Sequence, residues 1–220
     1  MASPLDALKL RISEVYTSVQ GESTFAGRPC VFVRTTGCPL RCVWCDTEHA
    51  FTGGDDRSVQ GVLDQVLSEA VEVVEITGGE PLVQKNVLPL MAALADAGRT
   101  VLLETSGAYD IATVDPRVHV IMDLKCPDSG ESERNLYSNI EHLDERDEVK
   151  FVIASRRDYE FARETIKEHR LDQRCEVLIS TVFDTVDRRS VVEWILADRL
   201  NVRFQLQLHK FIWPPDAQGV

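Results

Sequence analysis

Short apolar segments alternating with segments of helical periodicity constrain the fold of this chain more than any other feature of its sequence. Val31 to Arg34, Val73 to Thr77, Thr100 to Glu104, Val118 to Asp123, Val149 to Ile153, Val177 to Ser180 and Arg203 to Leu206 read as strands. Between them Val59, Val62, Leu63, Val66, Leu67 and Ala70 recur at helical spacing behind Ser58 as N-cap. Further helices are expected over Val87 to Ala97, Arg134 to Leu143, Asp158 to Glu168 and Val191 to Leu196, and Leu10 to Tyr16 reads as an opening strand. Strand and helix in alternation make a parallel α/β sheet. The units are too few for the eight of a closed barrel, so the expectation is a partial, open (β/α) barrel of about six mostly parallel strands. One domain over residues 1–220 accommodates it. Thr52 to Asp56 and Asp128 to Ser132 read as exposed loops.

In such a fold the loops at the carboxyl ends of the strands build the site, and the chemistry-bearing residues fall there. After the first parallel strand comes Cys38-Pro39-Leu40-Arg41-Cys42-Val43-Trp44-Cys45-Asp46-Thr47, a Cys-x3-Cys-x2-Cys triplet. A structural zinc site or an ordinary ferredoxin cluster takes four ligands, so a compact triplet leaves one coordination position open. The alternatives are a zinc knuckle completed by His49 or a remote cysteine, and three unrelated buried thiols. After the second strand comes Thr77-Gly78-Gly79-Glu80-Pro81, on its own an ordinary turn. Glu104-Thr105-Ser106-Gly107, Asp123-Leu124-Lys125 and Ser180-Thr181-Val182 close later strands with polar groups.

Composition narrows the partners. A formal charge of -12 argues against docking on nucleic acid, which needs clustered Lys and Arg. Six cysteines without a signal peptide or a bilayer-length apolar run lead us to expect a soluble cytoplasmic protein with no membrane contact and no disulfides. Cys30, Cys126 and Cys175 then read as small buried hydrophobes.

The triplet and Gly-Gly-Glu-Pro together resemble the radical S-adenosylmethionine (SAM) enzymes. The resemblance implies that Cys38, Cys42 and Cys45 hold a 4Fe-4S cluster whose fourth iron binds SAM, the source of a 5'-deoxyadenosyl radical, and that Gly79 meets the methionine amino group. Tyr16 to Ser23, Phe32-Val33-Arg34 and Cys45-Asp46-Thr47 resemble, more narrowly, the 7-carboxy-7-deazaguanine synthase (QueE) family, the likeness running from Glu14 to His209-Lys210. That implies a lyase of queuosine biosynthesis, turning 6-carboxy-5,6,7,8-tetrahydropterin into 7-carboxy-7-deazaguanine with loss of ammonia. It also implies Mg2+, a reductant such as flavodoxin or ferredoxin, and a homodimer.

Carried over position by position, the likeness implies SAM contacts from Trp44, Cys45, Asp46, Gly79, Glu104, Ser106, Asp123, Leu124, Lys125, Ser180 and Thr181. Substrate contacts would come from Val19, Gln20, Gly21, Glu22, Arg34, Thr77 and Pro214, and Mg2+ from Thr47. Glu22 offers a carboxylate to the N-H edge of the pterin, where it can accept two parallel hydrogen bonds, and Arg34 meets the substrate carboxylate. Two stretches depart from the family: Asp123-Leu124-Lys125 replaces Ser-Pro-Lys, and residues continue past His209-Lys210 through Phe211 to Pro215 and beyond. A glycyl-radical-enzyme activase and a non-enzymatic iron-sulfur carrier are the competing readings. The first needs a protein-docking surface and no pterin-binding Glu, and the second needs neither the Gly-Gly motif nor a barrel.

Overall fold

The computed structural model describes residues 3–220 and contains one nine-stranded sheet. Its order is β3 (Asp55–Ser58), β1 (Lys9–Val19), β2 (Pro29–Thr35), β4 (Val73–Gly78), β5 (Thr100–Thr105), β6 (His119–Asp123), β7 (Glu148–Ile153), β8 (Glu176–Thr181) and β9 (Arg203–Phe204). From β2 onward every neighbour is parallel, and β1 pairs antiparallel with both β2 and β3. The sheet is open. Its six longer parallel strands are those expected, whereas Arg203 to Leu206 shrinks to a two-residue edge because Gln205 turns away after one last bond to the Ile179 carbonyl. Asp55 and Asp56, expected in a loop, instead pair with Ile12 and Arg11 as an edge strand.

Alternation along each strand divides the residues between two faces. Val31, Val33, Val74, Ile76, Val101, Leu103, Met122, Phe151 and Ile179 face a core shared with the helices α1 (Val59–Ser68), α2 (Val87–Asp96), α3 (Arg156–His169) and α4 (Arg188–Asp198). Burying one such aliphatic side chain contributes about 1.5–3 kcal/mol. Ser58, Ser155 and Asp187 cap three of these helices by accepting the N-H three residues on, and α3 and α4 end on left-handed Arg170 and Arg199. The last two helices exceed the stretches expected from apolar periodicity, because their first turns are polar and fixed by the cap.

The opposite, concave face is layered. Its floor is apolar, with Cys30, Phe32, Val73, Leu102 and Ile121 packed beneath Phe25 and Tyr16. Towards the carboxyl ends the register pairs Arg34 with Thr77 and Asp123 with Lys150, and Glu104, level with Ile121, reaches the Lys150 ammonium, so that these five side chains form a polar group above the floor.

Arg134 to Leu143 is not the helix expected. It forms two 3-10 turns, Ser132–Arg134 and Tyr137–His142, neither with a side-chain cap. Asn135 clips both backbone groups of Lys125, and Asn139 accepts from Ile111 N and donates to the Gly107 and Tyr109 carbonyls. These side chains satisfy distant backbone in place of supporting a helix. Asp128 to Ser132 is likewise no simple exposed loop, since Ser129 is fully buried and its carbonyl accepts from Val43 N.

Candidate active site

The triplet loop follows β2 and is held from four sides. Gly37 donates to the Ala50 carbonyl and accepts from Glu80 N, Val43 N donates to the Ser129 carbonyl, and Arg41 N donates to Glu131 Oε1 at 2.6 Å. Arg41 folds back to donate to the Cys38 and Leu40 carbonyls and lies over the Phe51 ring, while Leu40 fills the core below. A loop without regular structure is thereby fixed, and all three thiols line one cavity of about 280 Å³. Burial raises each thiol above its ordinary value, Cys42 to about 11. His49, the candidate fourth zinc ligand, turns to Glu14 at 3.5 Å. Among the described residues no group of three His, Cys, Asp or Glu side chains is disposed to hold a single metal ion. Three half-buried thiols around one mouth fit a multi-iron cluster, in which each thiolate binds its own iron.

Gly78 and Gly79 bring backbone against that loop. A Cβ on Gly79 would lie 2.5 Å from the Gly37 carbonyl oxygen and 2.7 Å from Cys38 Cβ. Glu80 next to it is fully buried, accepting from Leu82 N, the Thr105 hydroxyl, and both the N-H and the hydroxyl of Ser106. The motif therefore ties the end of β4 to the end of β5, and the Ser106 side chain is engaged in that tie.

Above the apolar floor the polar side chains form one network around Lys150. Its ammonium donates to Glu22 Oε2 at 2.9 Å and to Glu104 Oε1, with Asp123 Oδ2 at 3.8 Å. Burial works against the Lys150 charge, but Glu104, Glu22 and Asp123 together more than offset it and hold its pKa well above the ordinary value. Glu22 is also opposed by burial, yet Lys150 and the Gln207 amide hold it below the ordinary carboxylate range. Lys125 pairs with Asp123 Oδ2 at 2.9 Å, and Asp123 Oδ1 is buried with no partner, an acceptor free for a ligand. Arg34 donates to Glu14 at 2.7 Å and to the Tyr16 hydroxyl at 2.9 Å, so its guanidinium is oriented before any carboxylate arrives.

The segment after β9 closes one side. Ser23 N donates to Gln205 Oε1, Leu208 N donates to the Gly21 carbonyl, and a Cβ on Gly21 would strike the His209 ring. Lys210 donates to Asp46 at 2.8 Å; this outweighs the burial of Asp46 and brings its pKa down to about 2. The segment thus spans from the Gln20–Ser23 turn to the end of the triplet loop.

Of the residues singled out by sequence, Val19, Gln20, Gly21, Glu22, Arg34, Cys38, Cys42, Trp44, Cys45, Asp46, Thr47, Thr77, Gly79, Glu104, Ser106, Asp123 and Lys125 line this cavity. Leu124, Ser180, Thr181 and Pro214 do not. Leu124 alternates with Asp123 and so joins the helix-side core, Ser180 and Thr181 are buried, and Pro215 to Val220 line the wall in place of Pro214. Glu75, Lys150, Gln207 and His209 line it without having been singled out as site residues.

Known proteins resemble this chain over most of its length. The Radical SAM superfamily model matches residues 32–195. The 7-carboxy-7-deazaguanine synthase of Chlorobaculum tepidum is 46% identical over 96% of this chain and 97% of its own length. That of Koribacter versatilis is 44% identical over 96% of this chain and 100% of its own. Among solved structures, QueE from Escherichia coli superposes with a TM-score of 0.75 at 25% identity, covering 90% of this chain and 94% of that one.

Proposed function

The chain belongs to the radical SAM superfamily and within it to the 7-carboxy-7-deazaguanine synthase family, and we propose that its cavity converts 6-carboxy-5,6,7,8-tetrahydropterin to 7-carboxy-7-deazaguanine and ammonia. The observation that carries this reading is Glu22, a carboxylate held charged at the cavity wall by Lys150 and Gln207. Its free lone pairs suit the N-H edge of a pterin, and a surface acid would need neither partner.

Cys38, Cys42 and Cys45 would hold the cluster, and Gly79, Trp44, Asp46, Ser106, Asp123 and Lys125 would bind SAM around it. When bound, cluster and SAM supply a 5'-deoxyadenosyl radical. The chain's own residues position and seal. Gln20 and Gly21 present backbone to the pterin, Arg34 meets its carboxylate beside Thr77, and the segment from Gln205 to Lys210 excludes water on one side. Thr47 Oγ1, which donates to Asp46 at 3.0 Å, would give Mg2+ one oxygen, the substrate carboxylate another, and water the rest.

No helix is long and apolar enough to cross a membrane. A single domain over residues 1–220, a cytoplasmic setting, a flavodoxin- or ferredoxin-type reductant and a homodimer complete the proposal. Anaerobic incubation of the reconstituted protein with SAM, reductant and the tetrahydropterin, followed by mass spectrometry, tests it. Formation of the deazaguanine acid supports the reading, and SAM cleavage without that product refutes it.

A further inference from the structure

Glu75 is a carboxylic acid in the middle of an apolar strand, 2% exposed, on the concave face one step below the polar group. It accepts from the Gln20 amide, whose oxygen accepts from Glu22 N, and it lines the same cavity as Glu104, which follows its register partner Leu102 by two residues on the neighbouring strand. A carboxyl buried without a cation is favoured in its protonated form. Lys150 is bonded to Glu104 and Glu22, whereas Glu75 has no ion pair among the described residues. Burial, followed by repulsion from Glu104, raises Glu75 well above the ordinary carboxylate range, so this carboxyl keeps its proton. Asp123 and Lys125 complete the charged groups of this network.

We propose that Glu75 and Glu104 form the acid-base pair of the ammonia-releasing step, Glu104 facing the substrate and Glu75 storing the shared proton behind it. The inference rests on the pterin reading above. An amine departs only once protonated, so Glu75 first passes its proton to Glu104 and Glu104 delivers it to the nitrogen, leaving both carboxyls unprotonated. The C-N bond then breaks, its electron pair leaving on nitrogen as ammonia. The ring carbon beside it gives up one proton to Glu104, and the electrons of that C-H bond form the new ring double bond. That proton passes back to Glu75. One proton has gone out and one has come in, no oxidant or reductant is used, and the pair is reset. Glu104 is thereby placed with the pterin, beside Glu22 on the same ammonium, and not with the SAM ribose.

Glu75→Gln tests this, because the amide keeps a donor for Glu104 and an acceptor for Gln20 but has no proton to give. In the reconstituted holoenzyme, turnover should fall about 100-fold or more while pterin binding and cluster content stay at wild-type levels. The infrared carbonyl band of a protonated carboxyl should be present in wild type and absent in E75Q. Wild-type turnover in E75Q, or a band that survives the substitution, overturns the proposal. Glu75→Asp, still an acid, should keep the band and part of the turnover; E75D as slow as E75Q assigns Glu75 a structural role and overturns it too. If wild type forms no deazaguanine product, the substrate reading itself fails and the proton pair falls with it, an outcome distinct from an active wild type with an equally active E75Q.

Discussion

Lys150→Met removes a cation that faces three carboxylates at once and leaves a side chain of similar length. Lys150 is 5% exposed at its side chain and Glu22 15%, so the charges left behind are poorly solvated. Breaking a buried ion pair from one side costs about 3–5 kcal/mol, a large part of the roughly 5–15 kcal/mol that holds a domain folded. For a chain of this size that corresponds to a melting temperature about 6–20 °C lower. The sign of the pH dependence makes the test sharper. In wild type the Glu22 pKa lies below its unfolded value, so its contribution is present above the ordinary carboxylate range and is lost as pH falls. Without Lys150, burial, the largest influence on Glu22, is opposed only by the Gln207 amide and His209; the folded pKa is expected to rise above the unfolded one, and the variant then loses stability as pH rises. Anaerobic denaturant melts of both proteins at pH 5 and pH 8 should therefore show a gap that widens with pH. Adding Glu22→Gln to Lys150→Met should recover about 1–3 kcal/mol by removing a stranded charge. A gap constant across that range, or no recovery in the double variant, would refute the network as described.

Glu22→Gln alone should weaken pterin binding by about 10- to 150-fold, the equivalent of about 1.5–3 kcal/mol for a hydrogen bond to a charged group; an unchanged dissociation constant removes Glu22 from the substrate. Thr47→Val should abolish stimulation by Mg2+ with iron content and SAM binding intact, and a wild-type response to Mg2+ would take Thr47 out of the metal site. Gly79→Ala should push the Gly37 carbonyl and the Cys38 side chain aside at a cost of about 1–3 kcal/mol, seen as weaker SAM binding by equilibrium dialysis, and normal affinity would mean the backbone approach is not used.

The parallel sheet and the triplet loop were legible because each rests on local pattern. Val73-Val74-Glu75-Ile76 and Val149-Lys150-Phe151-Val152 can hardly be anything but strands, and the thiol spacing is contained within eight residues, Cys38 to Cys45. The segment around Asn135 and Asn139 was misjudged because its conformation is set by partners some 10 to 32 residues away in sequence, which no periodicity reports. Gln205 to Lys210 was equally hidden, since its place over the cavity depends on Ser23, Gly21, Glu22 and Asp46. Leu124 is the reverse case: it sits in a polar motif, and the two-residue period of the strand nonetheless sends its side chain to the core.

One sequence signal for the missed residues does exist. A parallel sheet covered on its helix side and closed over its concave side has no solvent face for a charged side chain, so Glu75, Glu148 and Lys150, each inside an apolar strand, must find partners within the fold. Height along the strand then separates their roles. Glu148 begins β7 at the amino end, where Thr24 donates to it through both backbone and hydroxyl and fixes the loop that carries Phe25 onto the floor. Lys150, two residues further on, stands level with Asp123 at the carboxyl ends and meets Glu22 and Glu104. A charge at the amino end serves the apolar floor and a charge at the carboxyl end serves the site. Charged residues embedded in apolar parallel strands are therefore candidates to be ranked by position along the strand before any motif is consulted.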